Sequence, residues 1–137
     1  MGVVQKTQNR IARILLSDDD AAVRRSLQLL LRSNGYEVMA YTTGNALLLD
    51  ANKRSGDCLI VDCSVSDIDG IAMLKRLRSS GWRGSAILIT AYYADLLAIS
   101  ARDAGFVKVL EKPLNDQILL RTIARALSAH SVAGIGR

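Results

Sequence analysis

Short apolar segments alternate along the chain with longer amphipathic segments. The apolar segments have the length of strands and predict five β-strands, at residues 12–17, 36–41, 58–61, 86–89 and 107–110. Each is followed by a segment whose apolar residues recur at helical spacing, which predicts five helices. This alternation of strand and helix is typical of an α/β fold with a parallel sheet.

The first predicted helix has clear signals at both ends. It begins after Asp20, whose side chain suits an N-cap, and it ends at Asn34-Gly35. The other helices are predicted at residues 44–53, 71–80, 94–104 and 115–129. Short connections with right-handed crossovers then favour a doubly wound sheet that is covered by helices on both faces.

Composition predicts one domain in a reducing compartment. Half of the 137 residues are hydrophobic, enough for one core, and we expect a domain at residues 12–128 between a flexible arm (1–11) and a flexible tail (129–137). Cys58 and Cys63 lie on opposite faces of an extended segment, about 16 Å apart, so we expect free thiols. No apolar run approaches the roughly 20 residues of a membrane span. We therefore expect a cytoplasmic protein that does not bind a membrane.

Charge is informative only where it is clustered. The formal net charge is +5 and the pI is about 9.6, but the arginines are scattered and no helix-turn-helix pattern is present. We therefore expect no direct binding of nucleic acid. The acidic residues are concentrated in two short segments, which contain Asp18, Asp19, Asp20, Asp62, Asp67 and Asp69. A basic protein with this acidic concentration predicts a local cation site.

The polar residues that follow the predicted strands form a candidate site. Doubly wound sheets bind ligands at the carboxyl ends of their strands. Carboxylates gathered at that edge repel each other, by roughly 3 kcal/mol per pair at 5 Å and a dielectric near 20. A divalent cation such as Mg²⁺ offsets this repulsion, and a lysine or a hydroxyl there can bind phosphoryl oxygens. The residues at these ends are Asp18, Asp19, Asp20, Asp62, Thr90 and Lys112.

Four motifs taken together resemble the receiver domain of two-component response regulators. They are ILLSDDD, DCLIVDCSVSDIDG, ILITAY and LEKPL, and the resemblance covers about residues 12–128. The segment DDDAAVRRSLQLLLRSNGYEV resembles receivers that often precede a LuxR-type DNA-binding domain, although no pattern of an output domain follows here. The resemblance implies a flavodoxin-like (βα)5 fold with strand order 2-1-3-4-5.

The resemblance also implies a role for each matching residue. Asp62 would be the phosphoacceptor for a sensor histidine kinase, Thr90 the switch hydroxyl and Lys112 the phosphate-binding lysine, with a cis bond before Pro113. The implied Mg²⁺ ligands are Asp18, Asp19, Asp62 and the backbone carbonyl of Cys63. Such a protein is not a conventional enzyme, although it assists its own phosphoryl transfer and hydrolysis. Its implied partners, besides the kinase, are a second copy in a homodimer and a downstream protein or a separate DNA-binding partner.

Three departures from the family pattern keep alternatives open. Ser17 replaces the usual valine, Ser66 the usual proline, and Val109 the aromatic residue whose rotation commonly reports phosphorylation. One alternative is a degenerate receiver that acts as a phosphorylation-independent interaction module. Another is a phosphohydrolase of the haloacid-dehalogenase type, but Ser64 stands where such enzymes need a general-acid aspartate.

Overall fold

The computed structural model describes residues 10–50, 53, 55–64 and 67–135. Within these ranges the five strands are β1 (Arg13–Ser17), β2 (Glu37–Tyr41), β3 (Cys58–Asp62), β4 (Ser85–Thr90) and β5 (Lys108–Glu111). The five helices are α1 (Ala21–Ser33), α2 (Gly44–Leu49), α3 (Gly70–Ser79), α4 (Asp95–Ala104) and α5 (Asp116–Ile135). Residues 1–9 of the predicted arm (1–11) and the departure at Ser66 lie outside the described residues.

The strands form one parallel sheet in the order β2-β1-β3-β4-β5. This confirms the predicted fold class and strand order. The central strands β1, β3 and β4 are buried along almost their whole length. Strands that are covered on both faces carry continuous apolar runs, which explains why periodicity located these strands well.

Alternation along the strands divides the core into two layers. Leu15 and the other side chains on its face of the sheet pack against α2, α3 and α4, where Leu47, Leu74 and Ala101 are buried. Ile14 and Leu16 point to the opposite face, where α1 and α5 contribute Leu27, Leu31, Leu119 and Ile123. Because successive strand residues point to opposite faces, one strand contributes to both layers.

Helix α1 has the ends that the sequence predicts. The Asp20 carboxylate accepts hydrogen bonds from the amides of Ala22 and Val23, at 3.0 and 3.2 Å. Asn34 is the C-cap, and Gly35 follows with φ +91°, a left-handed conformation that favours glycine. Asp20 thus uses its side chain to begin the helix.

Two predicted helix boundaries were wrong. Helix α2 ends at Leu49 and not at residue 53, because Asp50 takes an extended backbone (φ −76°, ψ 120°) and accepts a 2.6 Å hydrogen bond from the Tyr41 hydroxyl. Helix α5 continues to Ile135, beyond the predicted end at residue 129. No glycine or proline interrupts residues 129–133, so nothing local ends the helix there. The domain boundaries themselves stay a prediction.

The cysteines, the helix lengths and Trp82 can each be compared with the sequence-based expectations. Both cysteines are free thiols, Cys58 buried and Cys63 half-buried, as predicted. None of the helices in the described part of the chain combines the length and hydropathy that crossing a bilayer requires. Trp82 is buried and donates to the Gly56 carbonyl at 2.9 Å, so it serves the core.

Candidate functional site

Parallel pairing brings the predicted site residues to one edge of the sheet. Ser17 lies opposite Val61, Asp62 opposite Ile89, and Thr90 opposite Glu111. The residues that end or follow these strands therefore share the carboxyl edge, as expected for a doubly wound sheet.

Lys112 joins the two most buried carboxylates of this edge. Its Nζ donates to Asp62 and, at 3.4 Å, to Oδ2 of Asp18. Asp18 is only 1% exposed and Asp62 8% exposed, so the lysine screens two carboxylates that water reaches poorly. Sequence reasoning predicted all three residues, and the structure brings them together.

Asp18 is held at each of its oxygen atoms. Oδ1 accepts from the amide of Asp20 at 2.9 Å, Oδ2 contacts Lys112, and the main-chain carbonyl accepts from Nη1 of Arg24 at 2.8 Å. Burial raises the pKa of the Asp18 carboxyl, and the hydrogen bond from Asp20 and the charge of Lys112 oppose that rise only in part. An ionised Asp18 is therefore poorly stabilised by the protein alone.

The titration of Lys112 follows from the same contacts. Burial lowers its pKa, but the hydrogen bond to Asp62 and the charges of Asp18 and Asp62 raise the pKa by more, so the net shift is upward. Lys112 is consequently a cation at neutral pH. It can balance the charge of only one of the two carboxylates next to it.

The turn after β3 fixes Asp62 and its neighbour. Asp62 Oδ1 accepts from the amide of Ser64 at 2.9 Å, while the amide of Cys63 donates to the Ile89 carbonyl at 2.7 Å. The carbonyl of Cys63 accepts from the amide of Gly70 at 3.2 Å and keeps a second lone pair. A Cβ on Gly70 would lie 2.6 Å from Cδ1 of Leu88 and 3.1 Å from the Asp62 carbonyl, so the Leu88 side chain would have to move and the turn has little room for a side chain.

The other two aspartates of the first acidic segment differ from Asp18. The Asp19 side chain is exposed, whereas Asp20 caps α1. In the second segment, Asp69 caps α3, and Asp67 accepts from the amides of Gly44 and Asn45 at 3.0 and 2.8 Å. Three of the clustered carboxylates are thus used to begin helices.

Thr90 lies at the predicted edge, but its hydroxyl is bonded elsewhere. Oγ1 accepts from the amide of Tyr92 and donates to the Tyr92 carbonyl, both at 3.2 Å. Within the described part of the chain, the Thr90 hydroxyl makes no hydrogen bond to Asp62 or Lys112. Val109 is half-buried and packs in the core layer beside α4. The bond between Lys112 and Pro113 is cis, as predicted.

The donor atoms at this edge suit a hard cation. Among the described residues no group of three acidic, histidine or cysteine side chains is arranged to hold a metal together. Mg²⁺ typically binds one or two carboxylates and keeps several waters as its remaining ligands. Asp18 and Asp62 can supply the carboxylate oxygens, and the Cys63 carbonyl can supply a further oxygen. The residues therefore fit Mg²⁺, with exposed Asp19 beside them, and the ligand set stays a prediction.

Two residues at this edge, Arg24 and Glu111, were not predicted from the sequence because their roles depend on tertiary contacts. Arg24 holds the Asp18 carbonyl, and Glu111 Oε2 accepts from the amide of Tyr93 at 3.2 Å. Arg24 lies four residues after the N-cap, within reach of the loop that precedes the helix, which is a weak sequence signal. Glu111 immediately precedes Lys112 and carries no comparable signal.

Comparison with known proteins places the chain among signalling domains. The family model described as response regulator receiver domain matches residues 14–124. The transcriptional regulatory protein FixJ of Azorhizobium caulinodans is 32% identical over 117 residues, which cover 85% of this chain and 56% of FixJ. The response regulator protein TodT of Pseudomonas putida is 31% identical over 119 residues, which cover 87% of this chain and 52% of TodT. The chain thus spans about half the length of these curated relatives.

Solved structures share the fold of this chain. A response regulator receiver domain protein from Clostridium thermocellum superposes with a TM-score of 0.82 at 24% identity, covering 90% of this chain and 99% of the other. The chemotaxis protein CheY4 of Vibrio cholerae superposes with a TM-score of 0.80 at 26% identity, covering 86% of this chain and all of the other. Each supports the strand order and helix placement described above.

Proposed function

Because the chain belongs to the response regulator receiver domain family, we propose that it is a phosphorylation-dependent signalling regulator that accepts a phosphoryl group on Asp62. The observation that supports this most is the contact of Lys112 with Asp62 beside buried Asp18. A nucleophilic carboxylate next to a cation and a second carboxylate is suited to receiving a phosphoryl group.

The proposed reaction transfers a phosphoryl group from a phosphohistidine of a sensor kinase. A carboxylate oxygen of Asp62 attacks phosphorus in line, the phosphorus–nitrogen bond breaks, and its electron pair stays on the imidazole, which then takes up a proton. Lys112 balances negative charge on the transferred oxygens. The product is an acyl phosphate on Asp62, and hydrolysis by water returns the free carboxylate.

A divalent cation has a defined place in this proposal. Asp18, Asp19, Asp62 and the backbone carbonyl of Cys63 would hold Mg²⁺, which when bound supplies positive charge beside the phosphoryl oxygens. The chain's own residues prepare that place. The amide of Asp20 donates to a carboxylate oxygen of Asp18, Arg24 holds the main-chain carbonyl of Asp18, and the amide of Ser64 donates to one carboxylate oxygen of Asp62.

A groove beside Lys112 is the proposed docking place for the kinase. It has a volume of about 570 Å³ and is lined mainly by apolar residues of α1 and of the segment after β5, among them Val23, Leu27 and Leu114. A phosphohistidine carried on an amphipathic helix would reach Asp62 from this groove. We place this reaction in the cytoplasm, where the two thiols stay reduced.

The other two candidate functions have less support. A phosphorylation-independent module would not need Lys112 in contact with two carboxylates, since an unused buried ion pair contributes little to stability. A phosphohydrolase would need a general acid two residues after Asp62, and Ser64 has no carboxyl group. Val109 would affect how phosphorylation changes the protein surface, but it would not affect the transfer of the phosphoryl group to Asp62.

Labelling with a small phosphoryl donor tests the proposal. Wild type, Asp62→Asn and the exposed-carboxylate control Asp103→Asn are incubated with acetyl phosphate, with and without Mg²⁺, and their masses are measured. We expect one added phosphoryl group on wild type and on the control, and only when Mg²⁺ is present. Undiminished labelling of Asp62→Asn would refute the assignment of the phosphoacceptor.

A further inference from the structure

The loop between β4 and α4, residues 91–94, is closed by two hydrogen-bonded contacts. At one, the Thr90 hydroxyl accepts from the amide of Tyr92 and donates to its carbonyl. At the other, Glu111 on the neighbouring strand accepts through Oε2 from the amide of Tyr93 at 3.2 Å. Thr90 and Glu111 lie opposite each other in the sheet, and the amide of Lys112 donates to the Thr90 carbonyl at 2.8 Å. The loop is therefore anchored at both adjoining strand ends.

We propose that Glu111 is a positioning residue that holds this loop closed and thereby keeps the Thr90 hydroxyl away from Asp62 until a phosphoryl group arrives. This inference rests on the proposed function, because the arriving group is the phosphoryl group on Asp62. It assigns to Glu111 a role in switching that is separate from phosphoryl transfer itself.

The hydrogen-bond capacity of Thr90 makes the two states exclusive. A threonine hydroxyl has a single hydrogen, and here it is donated to the Tyr92 carbonyl. To donate to a phosphoryl oxygen, Thr90 must release that carbonyl. The loop then depends on the bond from Tyr93 to Glu111, which is charge-assisted but solvent-exposed. The strength of that bond therefore sets how easily the loop opens.

Opening of the loop would change the protein surface, because the loop carries two exposed tyrosines. Tyr92 is 84% exposed and Tyr93 48% exposed, so both side chains reach the surface. Val109, which has no polar or aromatic group, has no bond through which to follow Thr90. Movement of the loop would therefore displace two aromatic side chains on the surface. The backbone of Tyr92, which is hydrogen-bonded to Thr90, would link the movement of Thr90 to that of these side chains.

Amide hydrogen exchange tests the role of Glu111 without any phosphoryl donor. Exchange at Tyr92 and Tyr93 is measured by NMR in unphosphorylated wild type, Glu111→Ala, Glu111→Gln and Asp103→Ala. Losing the acceptor in Glu111→Ala should speed exchange at Tyr93 by about three- to tenfold, the effect of one hydrogen bond. Glu111→Gln loses the charge but keeps an acceptor oxygen, so its exchange rate should lie between those of wild type and Glu111→Ala, whereas Asp103→Ala should match wild type. Equal rates in Glu111→Ala and wild type, or equally fast exchange in Glu111→Gln and Glu111→Ala, would overturn the proposal.

A second measurement follows the link to Asp62. After treatment with acetyl phosphate and Mg²⁺, exchange at Tyr93 should rise in wild type but not in Thr90→Val, whose side chain cannot donate to a phosphoryl oxygen. Wild type that carries the phosphoryl group and shows no change at Tyr93 would overturn the link. Failure of wild type to take up phosphate would instead refute the proposed function, and the unphosphorylated comparison would still decide the role of Glu111.

Discussion

Nη1 of Arg24 donates to the main-chain carbonyl of Asp18 at 2.8 Å, six residues earlier in the chain. This bond ties the first helix to the loop that presents Asp18 and Asp19. The backbone of the acidic pair is therefore held by a side chain that binds neither the phosphoryl group nor the metal in our proposal.

Removing this bond should weaken metal binding without preventing folding. We expect Arg24→Met to lower Mg²⁺ affinity about threefold to tenfold, the effect of one hydrogen bond on the loop position. Arg25→Met, which removes a neighbouring exposed arginine, is the matched control. Titration of amide resonances with MgCl₂ measures both. Equal affinities for the two variants would show that Arg24 does not position the loop.

Neutralising Asp18 should stabilise the metal-free protein. Because the pKa of Asp18 is raised on folding, the protonated form is favoured in the folded state, and stability is lost as the pH rises from the ordinary value of 3.8 through the raised one. Asp18→Asn should therefore be more stable than wild type at pH 7 in urea denaturation, and this difference should shrink as the pH falls toward 3.8. Added Mg²⁺ should stabilise wild type more than the variant. Lower stability of Asp18→Asn at pH 7 would contradict the direction of the shift.

The two neighbouring aspartates should give separate effects. Asp20→Ala should destabilise the protein by about 1 kcal/mol, because it removes the N-cap of α1. Asp19→Ala should leave stability nearly unchanged and weaken Mg²⁺ binding by about tenfold or more, or roughly 1.4 kcal/mol. Urea denaturation and magnesium titration of both variants measure the two quantities. An exchange of the two phenotypes would place the metal ligand at Asp20.

Ser17 should be a site where substitution increases stability. Its hydroxyl is buried and has no hydrogen-bond partner among the described residues. An unpaired buried hydroxyl costs about 1–3 kcal/mol. We expect Ser17→Ala and Ser17→Val to raise the free energy of unfolding by about 1 kcal/mol, with Val gaining more where the space admits its methyl groups. Destabilisation in both variants would show that the hydroxyl has a partner.

The face formed by α4, β5 and α5 is the surface on which we expect a homodimer. It exposes both basic and acidic residues, namely Arg102, Lys108, Arg121 and Arg125 beside Asp95, Asp103 and Asp116. Mixed charge on one face suits a two-fold contact, in which each basic residue can meet an acid of the other copy. Arg121→Glu with Arg125→Glu should raise the dimer dissociation constant tenfold or more in sedimentation, whereas Lys75→Glu with Arg76→Glu on α3 should not. A monomer under every condition would exclude the dimer, and equal weakening by both pairs would exclude this face.

The sequence by itself determined the fold and most of the chemistry at the sheet edge. Strands covered on both faces need continuous apolar runs, and helices need apolar residues at helical spacing, so β1 to β5 and the starts of the helices could be predicted to within one residue, whereas the ends of α2 and α5 could not. Parallel connection then requires all strand ends to lie at one edge. That requirement alone brought Asp18, Asp62, Thr90 and Lys112 together, and the Asp20 cap followed from local chemistry.

Tertiary structure decided how the side chains at that edge are paired. Whether Thr90 faces Asp62 or its own loop depends on the course of residues 91–94, which no periodicity encodes. The bonds of Arg24 to Asp18 and of Glu111 to Tyr93, and the early end of α2 at the Tyr41–Asp50 contact, depend in the same way on where a side chain reaches after the backbone has packed. Periodicity records which face of an element is buried. A polar side chain instead takes the partner that packing brings within hydrogen-bond distance, and that distance exists only in the folded chain.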